Sequence, residues 1–324
     1  MSRSGRPAER LEPAPAQPRL PLPDTSALAV SVVVPVRNGA DTIGDLLNAL
    51  ANQAAAPRQT AVIVVDNGST DATAAVVARF PVTYLQEPKP GPSAARNRGL
   101  AHARGDVVVF VDADTLPTRG WLAEMTAPFV DSAQLVVGGH AIDYRPTTPA
   151  QIFMAQLGAR RLEHDFFRGH VPYVAGESLA VRRVALIDVG GWDEGFRTAE
   201  DLDLCVRLVR RYACRITRQP GAVFFTRRRE TFEALLEQAW DYGQGLAQAH
   251  LRHPTAIPLG ASRWLLLGRT LAVRRSKAWM LDAGRALRLA TAERTEFARH
   301  HWQWSKAFWG GFLSMLRHRT WRPR

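Results

Sequence analysis

Asp112 and Asp114 stand two residues apart, directly after the apolar run Val107-Val108-Val109-Phe110-Val111. If that extended geometry continues, residues two apart face one side, about 6.6 Å along the chain. Both carboxylates can then approach one hard divalent cation, Mg²⁺ or Mn²⁺, which takes oxygen ligands and can hold phosphate oxygens in turn. Taken alone the pair is also an ordinary polar strand exit; its position at a fourth strand end gives it weight. A second group is Arg96 and Arg98 in Gly91-Pro92-Ser93-Ala94-Ala95-Arg96-Asn97-Arg98. Gly91 and Pro92 suit a helix start, where cations are unfavourable unless an anion is near; of the two, Arg96 is expected to lie toward that anion. A third is Glu200-Asp201-Leu202-Asp203. Acids in a first helical turn suit the dipole without any chemistry, and Thr198 can cap. The preceding glycine-rich loop, residues 190–197, can however close a pocket in which one carboxylate acts as base.

The elements that must position these groups are readable. Apolar, β-branched runs at 30–35, 61–65, 82–85 and 107–111 alternate with helix-spaced segments at 40–54, 71–79 and 92–103. Strands apolar throughout, alternating with helices, give an α/β domain with a mostly parallel sheet covered on both faces. Ligands bind such sheets beyond the carboxyl ends of the strands. Those ends read Pro35-Val36-Arg37-Asn38-Gly39, Asp66-Asn67-Gly68-Ser69-Thr70-Asp71, Glu87-Pro88-Lys89-Pro90-Gly91 and Asp112-Ala113-Asp114. Carboxylates beside helix N-termini suit a nucleoside diphosphate with a divalent cation. No G-x-G-x-x-G follows the first strand and no G-x-x-x-x-G-K-[ST] occurs, which argues against dinucleotide and P-loop sites.

The chain has 324 residues, 46% hydrophobic and 22% charged, which excludes a wholly disordered or fibrous protein. Cys205 and Cys214 read as free thiols of a reducing compartment. No uncharged run reaches the ~18 residues of a spanning helix. Residues 1–29, rich in Pro, Ala and Arg, are expected to be disordered and lack the apolar core of a secretory signal, so a cytoplasmic location is expected. The net charge of +12 sits wholly in residues 251–324, with fifteen basic against three acidic residues and six of the nine tryptophans. The expected division is therefore a tail (1–29), a catalytic domain (30–250) and a basic helical extension (251–324).

Four stretches, SVVVPVRNGADTIGDLL, VIVVDNGSTDAT, GPSAARNRGLAHARGDVVVFVDADTLP and GGWDEGFRTAEDLDLCVRL, run in order over residues 30–211. Their order and spacing resemble the family 2 glycosyltransferases, inverting enzymes of the GT-A fold. The resemblance implies that Pro35 and Asn38 line the nucleotide pocket, Asp66 contacts the base, and Arg96 sits near the nucleotide. It implies that Asp114 binds the metal directly, with Asp112 nearer the ribose and metal. Asp201, in the Glu200-Asp201 pair, is the implied catalytic base, and Glu177 and Trp192 shape the acceptor side. UDP is the family's commonest donor nucleotide; the acceptor is expected to be a glycan or a lipid-linked hydroxyl. One departure concerns residues 224–229, where many relatives carry a histidine and this chain reads Phe-Phe-Thr-Arg-Arg-Arg. Two rivals remain. A sugar-phosphate nucleotidyltransferase shares a similar core, but its glycine-rich loop after the first strand is missing, and a non-catalytic nucleotide-sugar or membrane-binding protein is separated only by experiment.

The extension reads as one or two amphipathic helices in which Trp264, Leu267, Leu271 and Val273 lie near Arg269, Arg274, Arg275 and Lys277. Residues 307–313 are apolar but too short to span. Basic faces with interfacial tryptophans suit a helix lying on an anionic membrane surface, so peripheral attachment to the inner face of the plasma membrane is expected. Packing against the catalytic domain is the competing reading. No nucleic-acid-binding signature accompanies the charge.

Overall fold

The computed structural model describes residues 28–53, 57, 59–159, 172–258 and 261–318; residues 1–27 of the expected tail, and Trp321, lie outside them. Four parallel strands form the first half of the sheet: β1 (Ala29–Val36), β2 (Gln59–Asp66), β3 (Thr83–Gln86) and β4 (Val107–Val111). Helices α1 (Ile43–Ala51), α2 (Thr73–Val77) and α3 (Pro92–His102) connect them. Val36 pairs with Asp66 and Asp66 with Gln86, so three strands end level and their loops leave from one edge. The continuous apolar runs are explained by two-sided burial. Val32 and Val34 pack with Ile43, Leu46 and Trp121 on one face, and Val33 packs with Ile63, Leu100 and Phe110 on the other.

The second half comprises β5 (Thr115–Pro117), α4 (Trp121–Thr126), β6 (Val136–Asp143), α5 (Pro149–Ala159), β7 (Ser178–Arg182), α6 (Arg183–Asp188), α7 (Glu200–Tyr212) and β8 (Ile216–Thr226). One eight-stranded sheet results, ordered β3-β2-β1-β4-β7-β6-β8-β5. Four pairings are parallel and three antiparallel, so the sheet is mixed beyond β4. The reversal serves the site. Because β7 runs against β4 with Ser178 opposite Val111, the residues before β7 emerge beside Asp112.

Helix limits differ from the sequence pattern for local reasons. Thr42 and Ile43 both donate their backbone N–H to the Gly39 carbonyl, and the turn delays α1. Ala199, with φ +65°, precedes α7, and the Thr198 hydroxyl donates to the Asp241 carbonyl at 2.7 Å instead of capping.

Three long helices, α8 (Phe232–Arg252), α9 (Ala261–Ala286) and α10 (Ala292–His318), complete the chain. The boundary expected at residue 250 falls inside α8. Helices α8 and α10 cross closely, because a Cβ on Gly243 would lie 1.8 Å from the Phe308 carbonyl oxygen, and one on Gly311 would lie 2.1 Å from that of Trp240. Trp304, Phe308, Trp309 and Phe312 are buried there with Leu202 and Val206 of α7. The apolar run at 307–313 is therefore core.

Candidate active site

The carboxyl edge of the parallel strands gathers the predicted residues. Two loops, β1–α1 and β2–α2, are laced together. Asn38, at φ +52°, accepts the Thr70 N–H at 2.8 Å and donates its own backbone N–H to Ser69 Oγ at 2.8 Å. Pro35 is half-buried just before them. Asp66 is 4% exposed and accepts the Ser69 N–H at 2.7 Å and the Tyr84 hydroxyl at 2.6 Å. Its carboxylate thus holds its own turn.

Arg96 is the hub. It is 3% exposed and lies over the Trp192 ring, 4.7 Å from its centroid. Its Nη2 donates to Asp112 at 2.9 Å and its Nη1 to Glu200 at 2.7 Å. Burial works against the guanidinium charge, but the two carboxylates outweigh it and raise the pKa. One buried cation therefore fastens the end of β4 to the start of α7. Arg98, by contrast, is exposed, as expected of the pair's other member.

Asp201 is half-buried. One carboxylate oxygen accepts the Gly176 N–H at 3.1 Å, the other the Leu202 N–H at 2.7 Å. Desolvation, then the neighbouring Glu200 charge, pushes its pKa up to about 6. Glu177 follows Gly176 and accepts from Thr226 Oγ1 at 3.3 Å. Burial pushes it up to about 7, against the pull of Arg228 and with Asp112 and Asp114 adding to the rise. Burial and then Asp112 raise Asp114, while Arg229 and Arg227 draw it down.

Trp192 does not line open space. It is 1% exposed, meets Phe110 edge-on at 5.0 Å and supports Arg96 from behind. Residues that sequence reasoning missed lock the loops together. The Asn67 amide donates to the Glu87 and Lys89 carbonyls and accepts the Gly91 N–H. Asn97 exchanges hydrogen bonds with both backbone groups of Trp192 and donates to Glu194. Lys89 pairs with Glu194. The asparagines lie inside the recognised motifs, but their partners 20–97 residues away were not legible. Tyr242 of α8 carried no signal at all; the residue is 44% exposed, and desolvation of its phenol, then the charge of Glu177, raise its pKa, with Asp201 contributing.

The three arginines after β8 are mostly engaged. Arg227 pairs with Asp45 at 2.7 Å and lies over Tyr144, and Arg228 pairs with Asp143 at 2.5 Å. Buried Arg227 Nη1 has no protein partner. Among the described residues, no three His, Cys, Asp or Glu side chains form a ready metal cluster. Asp112 and Asp114 nonetheless fit a hard cation. Arg96 engages one Asp112 oxygen, the Asp112 charge still raises the Asp114 pKa despite Arg229 and Arg227, and Mg²⁺ in particular is commonly bound by one or two carboxylates plus substrate phosphates and water. A hollow of about 250 Å³ opens beside Thr198, lined by Gly195, Arg197, Asp241, Gln244 and Gln248.

A mixed sheet with carboxylates gathered at one edge and helices on both faces is the architecture of GT-A glycosyltransferases. The fold is similar to a mannosyltransferase from Pyrobaculum calidifontis solved with GDP-Man and Mn²⁺, with TM-score 0.60 and 23% identity over 90% of this chain and 91% of that one. It is also similar to glucosyl-3-phosphoglycerate synthase from Mycobacterium tuberculosis, with TM-score 0.53 and 21% identity over 73% and 82%. The profile of Glycosyl transferase family 2 matches residues 31–190. An uncharacterized glycosyltransferase of Mycobacterium bovis is 33% identical over 183 residues, 55% of this chain and 78% of that protein. The chain belongs to glycosyl transferase family 2. It is also 33% identical over 238 residues to the pre-mycofactocin glycosyltransferase of M. tuberculosis, covering 69% of this chain and 48% of that protein, so it spans about half the length of that relative.

Proposed function

We propose that this chain moves a sugar from a nucleoside diphosphate sugar, a UDP-sugar foremost, to an acceptor hydroxyl by one displacement that inverts the anomeric carbon. The observation that carries the reading is the Arg96 bridge, which joins Asp112 beside Asp114 to Glu200 beside Asp201. It brings donor-side and acceptor-side carboxylates to one place. In support, two solved proteins of similar fold carry GDP-Man or UDP-Glc with Mn²⁺.

Pro35, Asn38 and the turn held by Asp66 form the nucleotide side. Asp112 and Asp114 are the residues that would hold Mg²⁺ or Mn²⁺. A cation there supplies positive charge against the diphosphate leaving group. Arg227 and Arg229, whose charges reach Asp114, and the N-terminus of α3 add to that stabilisation. Asp201 takes the proton of the acceptor hydroxyl as its oxygen bonds to the anomeric carbon. The carbon–diphosphate bond breaks, and its electron pair leaves with the diphosphate. Glu177 and Trp192 shape the acceptor side, with Tyr242, whose phenol feels the Glu177 charge, beside them. The acceptor is a glycan or lipid-linked hydroxyl of the cell envelope, reached from the cytoplasmic face of the membrane by a peripherally held chain. Among the described residues no helix is long and apolar enough to cross a membrane.

The test is the configuration of the first-formed product, read by NMR of the anomeric proton. The anomer opposite to the donor's is expected, and none from Asp114→Ala. A retained anomer would contradict the single displacement.

A further inference from the structure

We propose that the outward face of α9, with the turn that follows it, is a docking surface for an anionic lipid bilayer. The inference rests on the membrane part of the reading above and names the surface responsible.

Helix α9 has two distinct sides. Leu271 packs on the core of α8 and α10, Ala278 is buried, and Arg274 donates to Ser305 at 2.6 Å. Asp282 pairs with Arg299 at 2.7 Å and Arg285 with Glu296 at 3.8 Å. Residues 271, 274, 278, 282 and 285 follow helical spacing and mark the inner side. The other side carries Val273, Trp279 and Met280, continued by Leu287 and Leu289 in the turn. Leu289, Trp279 and Leu287, at 81%, 72% and 70% exposure, are the three most exposed large hydrophobic side chains among the described residues. Packing among the described residues does not account for them.

Charge decides the occupant. Arg269, Arg275, Lys277 and Arg288 are exposed around the stripe. The acids of the α9–α10 hairpin are Asp282, Glu293 and Glu296. Two are paired across the hairpin as above, and Glu293 accepts from Gln156 at 3.4 Å. Among the described residues of the hairpin, the outer side therefore offers an apolar stripe with a tryptophan, rimmed by cations and free of carboxylates. A second copy of this chain would bring like charge against like. A nucleic acid would meet the cations but leave the stripe in water. An anionic bilayer matches both, taking the apolar groups into its interface and the basic groups onto its headgroups. The surface identified differs from residues 307–313, which are core.

The test is flotation of the full-length chain with vesicles of phosphatidylcholine alone and of phosphatidylcholine mixed with phosphatidylglycerol. Wild type is expected to float with the mixed vesicles and far less with the neutral ones. The variant Trp279→Ser/Met280→Ser/Leu287→Ser is expected to lose roughly tenfold or more in partitioning. Arg275→Glu/Lys277→Glu is expected to lose on the order of tenfold. Both variants change exposed side chains and should keep the wild-type thermal transition. Wild type that stays unbound, binds neutral vesicles equally, or floats no better than the serine variant would overturn the proposal. So would a wild-type dimer that the serine variant splits, or retention of RNA in place of vesicles. Sugar transfer to a soluble acceptor is measured on the same samples. Transfer without flotation removes only the docking surface, and flotation without transfer removes only the catalytic reading.

Discussion

Asp201→Asn is expected to lower turnover by about 10²–10⁴-fold while leaving donor affinity unchanged. The amide keeps the shape of the carboxylate but cannot take the acceptor's proton. Wild-type activity should also follow the ionisation of this group, rising as pH passes about 6 and levelling above it. The same shift has a stability consequence. A carboxylate whose folded pKa is raised contributes stability that is full below its unfolded pKa and lost as pH rises through the folded value. Above about pH 7 the native protein therefore carries an unfavourable, partly desolvated charge. Asp201→Asn should remove it, gaining on the order of 1–2 kcal/mol, less whatever is lost because an amide oxygen must serve the two N–H groups of Gly176 and Leu202 alone. Steady-state kinetics and thermal melts against pH check both halves. Near-normal turnover in the variant would remove Asp201 as the base.

Arg96→Met is expected to have the second large effect. Methionine fills similar volume over Trp192 but leaves Glu200 and Asp112 without their shared partner. Removing one member of a buried ion pair costs about 3–5 kcal/mol, and the cost here should fall toward the lower end because Asp112 is 33% exposed at its side chain. Arg96 also draws the Asp201 pKa down. Without it, the residual activity should rise at higher pH than in wild type, a change that loosened packing alone would not produce. Arg96→Lys keeps the charge but loses the two-pronged geometry and should fall between the two. Melts and pH–rate profiles of the three proteins are the measurements. An unchanged profile in Arg96→Met would show that the guanidinium does not act on the base.

The half of the fold made of β1–β4 was legible because each strand is buried on both faces and so reads as an unbroken apolar run. The other half was not. β5 is three residues long, β6 is buried only over its first three residues, and β8 is half-buried or exposed until Ala222. The antiparallel turn that sets Glu177 beside Asp112 is a property of sheet order. Residue types at strand ends pointed to Asp112 and Asp114, since carboxylates there demand a reason; Asp201, in a first helical turn where acids are ordinary, followed only from the family resemblance. What the pattern could not supply was which groups satisfy one another. Arg96 was expected near the nucleotide, yet its partners are Asp112 and Glu200, the latter 104 residues away. Trp192 packs on Phe110 and Arg96, contacts with segments about 80–100 residues earlier that its own loop does not announce. The tryptophans of 251–324 carried the same ambiguity, because an amphipathic helix reports that one face is apolar and not what covers it. Glycines at 243 and 311 drew α8 and α10 together and made Trp304 and Trp309 core, leaving Trp279 outside.

The central claim is that one cavity grips a nucleoside diphosphate sugar through carboxylates far apart in the chain. Thermal shift with a panel of UDP-, GDP- and dTDP-sugars, with and without Mn²⁺, tests it most directly, since a ligand bound only by the folded state raises its stability. The melting temperature is expected to rise for one nucleotide class, only with Mn²⁺, and not at all in Asp114→Ala. No rise with any donor in the presence of Mn²⁺, or an equal rise in Asp114→Ala, would contradict it.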